Sequence, residues 1–220
     1  TTAGRTSKLK RLKDGDMKGA LYMSTHKSQD SLRFTSEEMT YSLADNTMKA
    51  KQVDHIFSAD AKILPKKGKV TIRKQASMDT LRDAKLIAGR DNKNHEIFNA
   101  DVKINSRYDY GGNGDYHYED LNDELQIIHF SNIGVDDSLQ TIASGSIEKT
   151  DSFRLSPYFD FAGDVEMEAE RKLLEFKGGA KMVHNCSEIS TRHVYFESVI
   201  NPDSIYIPVK GQNKGLLGNK

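Results

Sequence analysis

The chain has 220 residues, of which 36% are hydrophobic, and its 32 Lys and Arg residues balance 32 Asp and Glu residues, so the formal net charge is zero. This balance argues against nucleic acid or an anionic membrane surface as the partner, because both select a strong positive field. The single cysteine excludes an intrachain disulfide framework, and no apolar run approaches the roughly 18 residues of a membrane span.

The chain begins with a basic segment over residues 1–16. We predict that this segment is a flexible lead-in; the alternative is a basic arm for a phosphate-rich partner. Because the first residue is Thr1 and not Met, we expect a processed chain or a piece of a larger protein. The basic residues of the segment are Arg5, Lys8, Lys10, Arg11 and Lys13.

Short alternating runs follow, separated by Gly, Asn, Asp, Ser and Lys, and this period of two predicts strands with one buried face. The best helix candidate, at 76–87, lacks a clear apolar stripe. We therefore predict one all-β domain, built from repeats, over residues 17–209 and a flexible tail over 210–220. The predicted strands are 20–24, 31–35, 39–43, 55–64, 69–73, 84–88, 96–107, 115–119, 125–130, 139–147, 158–169, 172–176, 180–184, 192–199 and 204–209.

One heptapeptide occurs three times, as FSADAKI at 57–63, FNADVKI at 98–104 and FAGDVEM at 161–167. Its alternation predicts a strand whose odd positions pack in the core. The copies are offset by 41 and 63 residues, and unequal offsets favour rungs with insertions over a strict β-helix. The predicted fold is thus an elongated stack of bent β-hairpins, of β-jelly-roll or β-solenoid type, with irregular repeats. The predicted repeat core is Phe57, Ile63, Phe98, Ile104, Phe161 and Met167.

The same heptapeptide carries an Asp at its fourth position in every copy. Stacked like charges would repel at the spacing of neighbouring strands. We therefore interpret these carboxylates as outward-facing polar spacers that discourage edge pairing, not as catalytic groups. They are Asp60, Asp101 and Asp164.

A second pattern, apolar-polar-Phe followed by a turn and a returning apolar residue, occurs at 32–39, 128–133 and 174–182, and the last predicted turn contains Gly178 and Gly179. These three occurrences again indicate bent hairpins.

The segments FAGDVEM at 161–167 and LLEFKGGAKM at 173–182 resemble the repeating unit of a β-jelly-roll family. That family carries lipopolysaccharide across the bacterial periplasm and is also called organic-solvent-tolerance-like, and the likeness covers residues 50–185. The chain is also similar to a segment of large uncharacterised envelope proteins of Bacteroidetes-type bacteria. The resemblance implies a location in the periplasm or cell envelope, and an apolar groove between sheet layers that holds lipid.

The tract YDYGGNGDYHY at 108–118 has the composition of a hairpin, because Gly and Asn tolerate the positive φ of tight turns. With residues 112–114 as the loop, its tyrosines share one face; a two-residue loop would split them between the faces. This face is the candidate ligand or partner surface, and its alternative role is to pack against a sheet. Its members are Tyr108, Tyr110, Tyr116 and Tyr118.

Two groups of side chains approach the spacing of a metal site. A calcium loop would lack an oxygen ligand at Gly111 and the usual bidentate Glu, and a zinc site would have one thiol and no fourth ligand. We therefore expect no metal and no cofactor. The two groups are Asp109, Asn113, Asp115 and Asp120 for calcium, and His184, Cys186 and His193 for zinc.

No catalytic constellation stands out. The sequence has no Gly-x-Ser-x-Gly elbow, and nothing fixes two carboxylates of the run 119–124 at the separation that a glycosidase needs. We predict no catalytic residues. That acidic run contains Glu119, Asp120, Asp123 and Glu124.

The leading hypothesis is a non-enzymatic structural or binding module of a larger exported bacterial cell-envelope protein. The alternative is a lipid or lipopolysaccharide carrier, and a carbohydrate-active protein is the third hypothesis. The expected partners are adjoining domains or a protein at the sheet edges, or a lipid or glycan, but not nucleic acid.

Overall fold

The computed structural model describes residues 19–89, 95–186 and 192–207. These residues form sixteen strands and four single-turn 3₁₀ helices, and the strand pairs whose registers are defined are antiparallel. The predicted all-β fold is confirmed. The predicted lead-in at 1–16 and the predicted tail at 210–220 lie outside the described residues.

The candidate helix at 76–87 is mostly a strand, β8. The strands are β1 (Ala20–Met23), β2 (Arg33–Ser36), β3 (Glu38–Ser42), β4 (Thr47–Lys51), β5 (Ile56–Ser58), β6 (Ala61–Leu64), β7 (Val70–Ile72), β8 (Leu81–Ala88), β9 (His95–Ile104), β10 (Tyr110–Glu119), β11 (Leu125–Val135), β12 (Thr141–Ile147), β13 (Arg154–Ser156), β14 (Phe159–Glu168), β15 (Glu175–Met182) and β16 (Val194–Val199). The 3₁₀ helices are Lys27–Gln29, Lys66–Gly68, Lys74–Ala76 and Lys149–Asp151.

The chain divides into two compact units, and strands β10, β11, β12 and β14 contribute residues to both. In the first unit the strands β1, β2, β5, β6, β8, β9 and β10 follow one another across the larger sheet, and β3, β4 and β7 form a second sheet. In the second unit β14 pairs with β13 and β15, and β15 pairs with β16. Among the described residues, the first unit comprises 19–89, 95–116, His129–Ala143 and Glu168–Lys172. The second unit comprises His117–Ile128, Ser144–Met167, 173–186 and 192–207.

The first heptapeptide copy is a hairpin and not a strand, which corrects the prediction. Strands β5 and β6 pair directly, and Ala59 between them has a φ of +49°, the left-handed conformation that a tight turn requires. The turn changes the alternation. Ile56 therefore faces Ile63 across the hairpin and both are buried, whereas Phe57 is half-buried and contacts the His55 ring edge-on at 4.5 Å.

The second and third copies are strands, but they differ from each other. In β9 the register against β10 shifts, and Asn99 has a φ of +48°, as in a β-bulge. The bulge exchanges the two faces, so Ile97 is buried while Phe98 is half-buried under Lys85. The third copy lies within β14 without such a shift. Three similar heptapeptides thus form three different local structures.

The cores consist of the inward-facing residues of these strands, and four of the six predicted repeat-core residues belong to them. Ile63 and Ile104 are buried in the first unit, and Phe161 and Met167 are buried in the second. The second unit is centred on an aromatic cluster whose ring centroids lie 5.2 to 6.4 Å apart, a spacing at which aromatic pairs attract beyond their burial. Its members are Tyr118, Phe153, Phe161, Phe176 and Phe196.

Candidate functional site

The predicted tyrosine hairpin at 108–118 is one continuous strand for most of its length, β10, and the chain reverses earlier, at residues 105–109. The hairpin prediction was therefore wrong. Its glycines allow neighbouring backbone to come close. A Cβ on Gly112 would lie 2.1 Å from the Asp101 carbonyl oxygen of β9. Such a close approach of a neighbouring backbone is a common reason for glycine inside a strand.

The four tyrosines do not form a displayed surface, which corrects the candidate ligand surface. Tyr110 is 1% exposed in the first unit and Tyr118 is 4% exposed in the second. Tyr116 is half-buried, and Tyr108 lies in the reversal, 42% exposed. In β10 the residues at 110, 114 and 118 point into the cores, so these rings take the packing role.

The Tyr110 hydroxyl belongs to a buried relay in the first unit. It lies 2.5 Å from Thr141 Oγ1, and the Thr141 hydroxyl donates to Asp60 Oδ1 at 2.5 Å. Since threonine has a single O–H, Tyr110 must be the donor to Thr141. The other oxygen of Asp60, Oδ2, accepts from the Gly89 backbone N–H at 3.0 Å.

This relay shows that Asp60 is not the predicted outward spacer. Burial raises the pKa of Tyr110 strongly, and the Asp60 carboxylate acts in the same direction, so the phenol stays neutral and keeps donating. Asp101 also has a partner, Arg82, at 2.5 Å, whereas Asp164 is exposed as predicted. The relay joins residues 81 positions apart and serves the fold.

His95 is a second buried polar group of the first unit, 1% exposed. Its Nε2 lies 2.5 Å from the Arg171 carbonyl oxygen, and its Nδ1 lies 3.3 Å from Tyr116 Oη. The carbonyl requires a donor at Nε2, so the Nδ1 of the neutral ring accepts from Tyr116. Burial lowers the pKa of His95, which keeps the ring in this neutral form.

Among residues 19–89, 95–186 and 192–207, no three His, Cys, Asp or Glu side chains lie where they could hold a metal ion. The predicted acidic run is a structured turn: Asp120 Oδ1 accepts from the backbone N–H groups of Asn122 and Glu124, at 2.8 and 3.0 Å. Cys186 is exposed, and its N–H donates to His184 Nδ1 at 3.2 Å.

The best candidate for a functional surface lies in the second unit, on the face of β14, β15 and β16 opposite the aromatic cluster. The registers align two rows of outward-facing residues across these strands. One row runs from Ala162 through Gly179 to Tyr195, and the next runs from Asp164 through Lys177 to Glu197. We call this surface the outer-face patch; it consists of Ala162, Asp164, Lys177, Gly179, His193, Tyr195 and Glu197.

The outer-face patch displays one large aromatic ring. Tyr195 is 63% exposed, although its neighbour Phe196 is buried in the aromatic cluster. Ala162 and Gly179 beside it carry almost no side chain. A Cβ on Gly179 would lie 3.0 Å from His193 Cβ, so the His193 side chain lies beside the glycine. The exposed ring of Tyr195 therefore stands beside the His193 ring, which occupies the space above Gly179.

Charged groups of both signs border the ring. Lys177 Nζ lies 3.3 Å from Glu197 Oε1. The pKa of Lys177 is raised, first by this hydrogen bond to Glu197 and further by the nearby Glu197, Tyr195 and Glu166 oxygens. The row therefore offers a stable ammonium donor between carboxylate acceptors.

This surface was not predicted, although the sequence contains a signal for it. In the run VYFESV at 194–199, Tyr195 and Glu197 flank Phe196 and are exposed, whereas Phe196 is buried. A tyrosine on the polar side of such a strand is a candidate for solvent exposure. His193 was considered only as a zinc ligand, and Tyr195 was not identified as a binding residue.

No protein-family model, curated protein or solved structure matches this chain. Within the described part of the chain, no helix is long and apolar enough to cross a membrane.

Proposed function

We propose that this chain is a non-enzymatic binding module and that its ligand is a neutral oligosaccharide or polysaccharide, bound on the outer-face patch. The observation that carries the proposal is the exposed ring of Tyr195 on the sheet, beside His193, Lys177 and Glu197. We further propose, on the resemblance given by residues 161–182, that the module belongs to a larger exported cell-envelope protein.

The aromatic ring suits the apolar face of a sugar. A tyrosine offers a large surface with little side-chain freedom to lose on binding, and an amphipathic ring suits a ligand that is apolar on one side and polar on the other. The Ala162 side chain is small, and the His193 ring lies over Gly179, next to Tyr195, so the patch places a second ring beside the tyrosine.

The charges suit hydroxyl groups. A sugar hydroxyl both donates and accepts, so it is matched by an ammonium and carboxylates side by side. Lys177 supplies the donor, and Asp164 and Glu197 supply acceptors in the same row. Because the row carries charges of both signs, it favours a neutral polyhydroxylated ligand over a polyanion or a polycation.

The non-enzymatic part of the proposal is supported by what the potentially catalytic groups do. Tyr110, Thr141 and Asp60 bind one another in the interior, and His95 holds the Arg171 carbonyl. Their hydrogen-bonding capacity is used within the protein, which is the behaviour of structural polar groups.

The proposal is tested by affinity gel electrophoresis through soluble neutral glucan, mannan and galactan. The wild-type chain should be retarded by at least one of them, and Tyr195→Ala should abolish the retardation. Tyr41→Ala is the matched control, because Tyr41 is also exposed but lies on β3 of the first unit. Full mobility of the wild-type chain in every gel would overturn the proposal, and co-purified acyl lipid in mass spectrometry would instead favour the carrier hypothesis.

A further inference from the structure

A cavity of about 260 Å³ opens in the first unit between the 3₁₀ turn after β6 and the start of β8. Its volume suits a small ligand or one chemical group of a larger one. The polar side chains that line it are Lys66, Lys69, Thr71, Asp79, Thr80 and Arg82.

The backbone fixes both sides of the cavity. The 3₁₀ turn is tied down where the Val53 N–H donates to the Gly68 carbonyl at 3.0 Å, and the opposite side is joined to β7 where Asp79 N–H donates to the Thr71 carbonyl at 2.9 Å. The cations are therefore carried by a defined turn and a strand.

The lining is cationic. It holds three cations and one carboxylate, and that carboxylate, Asp79, is already bound by Arg73 through two bonds of 2.5 and 2.8 Å. The hydrogen bond from Arg73 lowers the pKa of Asp79, so the pair stays ionised and largely neutral in sum. The negative charge of Asp79 thus does little to neutralise the positive charges of Lys66, Lys69 and Arg82.

The other ion pairs of the lining are exposed and exchangeable. Lys66 pairs with Asp83 at 2.9 Å and Arg82 with Asp101 at 2.5 Å, with the Lys66 and Arg82 side chains mostly exposed. Exposed pairs of this kind contribute little free energy. An anion in the cavity can therefore replace the two carboxylates as the partner of Lys66 and Arg82. Lys69 forms no ion pair with any carboxylate of residues 19–89, 95–186 and 192–207.

We propose that this cavity binds a phosphate group, as inorganic phosphate or as a phosphate monoester. Two ammonium groups, a guanidinium fork and two threonine hydroxyls offer more donors than the two oxygens of a carboxylate accept. A phosphate has three or four oxygens, and the arginine fork matches two of them at once. The site lies in the unit that does not carry the outer-face patch, so it is independent of the proposed function.

The test is isothermal titration of the full chain at low salt with inorganic phosphate, and with vesicles of phosphatidic acid against vesicles of phosphatidylcholine. Binding of free phosphate identifies a soluble ligand, and binding only to phosphatidic acid identifies a lipid headgroup; both support the site. Chloride at equal ionic strength should not compete, since it cannot bridge the donors.

Variants of lysines inside and outside the cavity show whether the cavity is the site of phosphate binding. Lys69→Gln should weaken binding by about tenfold, the effect of losing one strong charged contact, while Lys69→Arg should retain it. Lys27→Gln is the control, because Lys27 is an exposed lysine in a 3₁₀ turn of the same unit and does not line the cavity. No binding in either arm, or equal losses in Lys69→Gln and Lys27→Gln, would overturn the proposal.

Discussion

Gly163 on β14 faces Gly178 on β15, and neither has space for a side chain. A Cβ on Gly163 would lie 2.4 Å from the Lys177 carbonyl oxygen, and one on Gly178 would lie 2.3 Å from the Ala162 carbonyl oxygen. Gly163 also has a φ of +151°, a conformation that side chains disfavour. The two strands therefore approach closely at the centre of the outer-face patch.

The first prediction concerns this approach. Gly178→Ala should lower the free energy of unfolding by about 2 kcal/mol or more, because the new methyl group must push the β14 backbone away. The matched control is Gly134→Ala on β11, where a Cβ would meet nothing within 4 Å. Urea denaturation measures both; equal midpoints for the two variants would show that the strands do not approach so closely.

The second prediction concerns the buried relay. Tyr110→Phe removes one hydrogen bond and should cost about 1 kcal/mol. Thr141→Val leaves the phenol without an acceptor and Asp60 Oδ1 without its donor, and should cost about 1 to 3 kcal/mol. The order of the two costs is the decisive result of the denaturation experiment. A smaller loss for Thr141→Val than for Tyr110→Phe would refute the donor direction from Tyr110 to Asp60.

The third prediction is a pH dependence caused by His95. Because burial lowers its pKa in the folded chain, the unfolded chain binds the proton more readily, and stability falls as the pH drops below the ordinary histidine value of about 6.5. Above that pH both states are neutral and His95 contributes no slope. His95→Gln keeps a neutral hydrogen-bonding group, so the stability of wild type relative to this variant should decrease between about pH 6.5 and 5. A constant difference across that range would contradict the account.

The strands were largely predictable, because alternation depends only on neighbouring residues. Alternation correctly indicated that Ile104 and Phe161 are buried. It failed at Phe57 and Phe98, since a turn at Ala59 and a bulge at Asn99 each reverse the faces. Both residues adopt positive φ without being glycine, so the sequence gives little warning of either change.

The glycine-rich segments show a second limit of predicting structure from this sequence. The glycines at 111–114 and at 178–179 were both interpreted as turns, yet they lie inside β10 and β15. Glycine permits positive φ, but it also permits close approach of another strand. Which of the two applies depends on a partner strand that is distant in the sequence.

The burial and the partners of polar side chains show a third limit of predicting structure from this sequence. Asp60 has the local pattern of an exposed spacer, but its partner Thr141 lies 81 residues away. Tyr110 and Tyr195 are both tyrosines in alternating strands, and only the tertiary packing buries the first and exposes the second. The ligand surface predicted at 108–118 is therefore largely buried, and the exposed candidate surface lies on β14, β15 and β16.

The most direct test of the proposed function is the affinity of the full chain for the neutral polysaccharide that retards it most, measured by isothermal titration for wild type, Tyr195→Ala, Tyr195→Phe and Tyr41→Ala. We expect Tyr195→Ala to bind about tenfold more weakly or worse, as for the loss of a central aromatic contact, while Tyr195→Phe keeps most of the affinity and Tyr41→Ala keeps all of it. Wild-type affinity in a folded Tyr195→Ala chain would contradict the proposal that the outer-face patch binds the glycan.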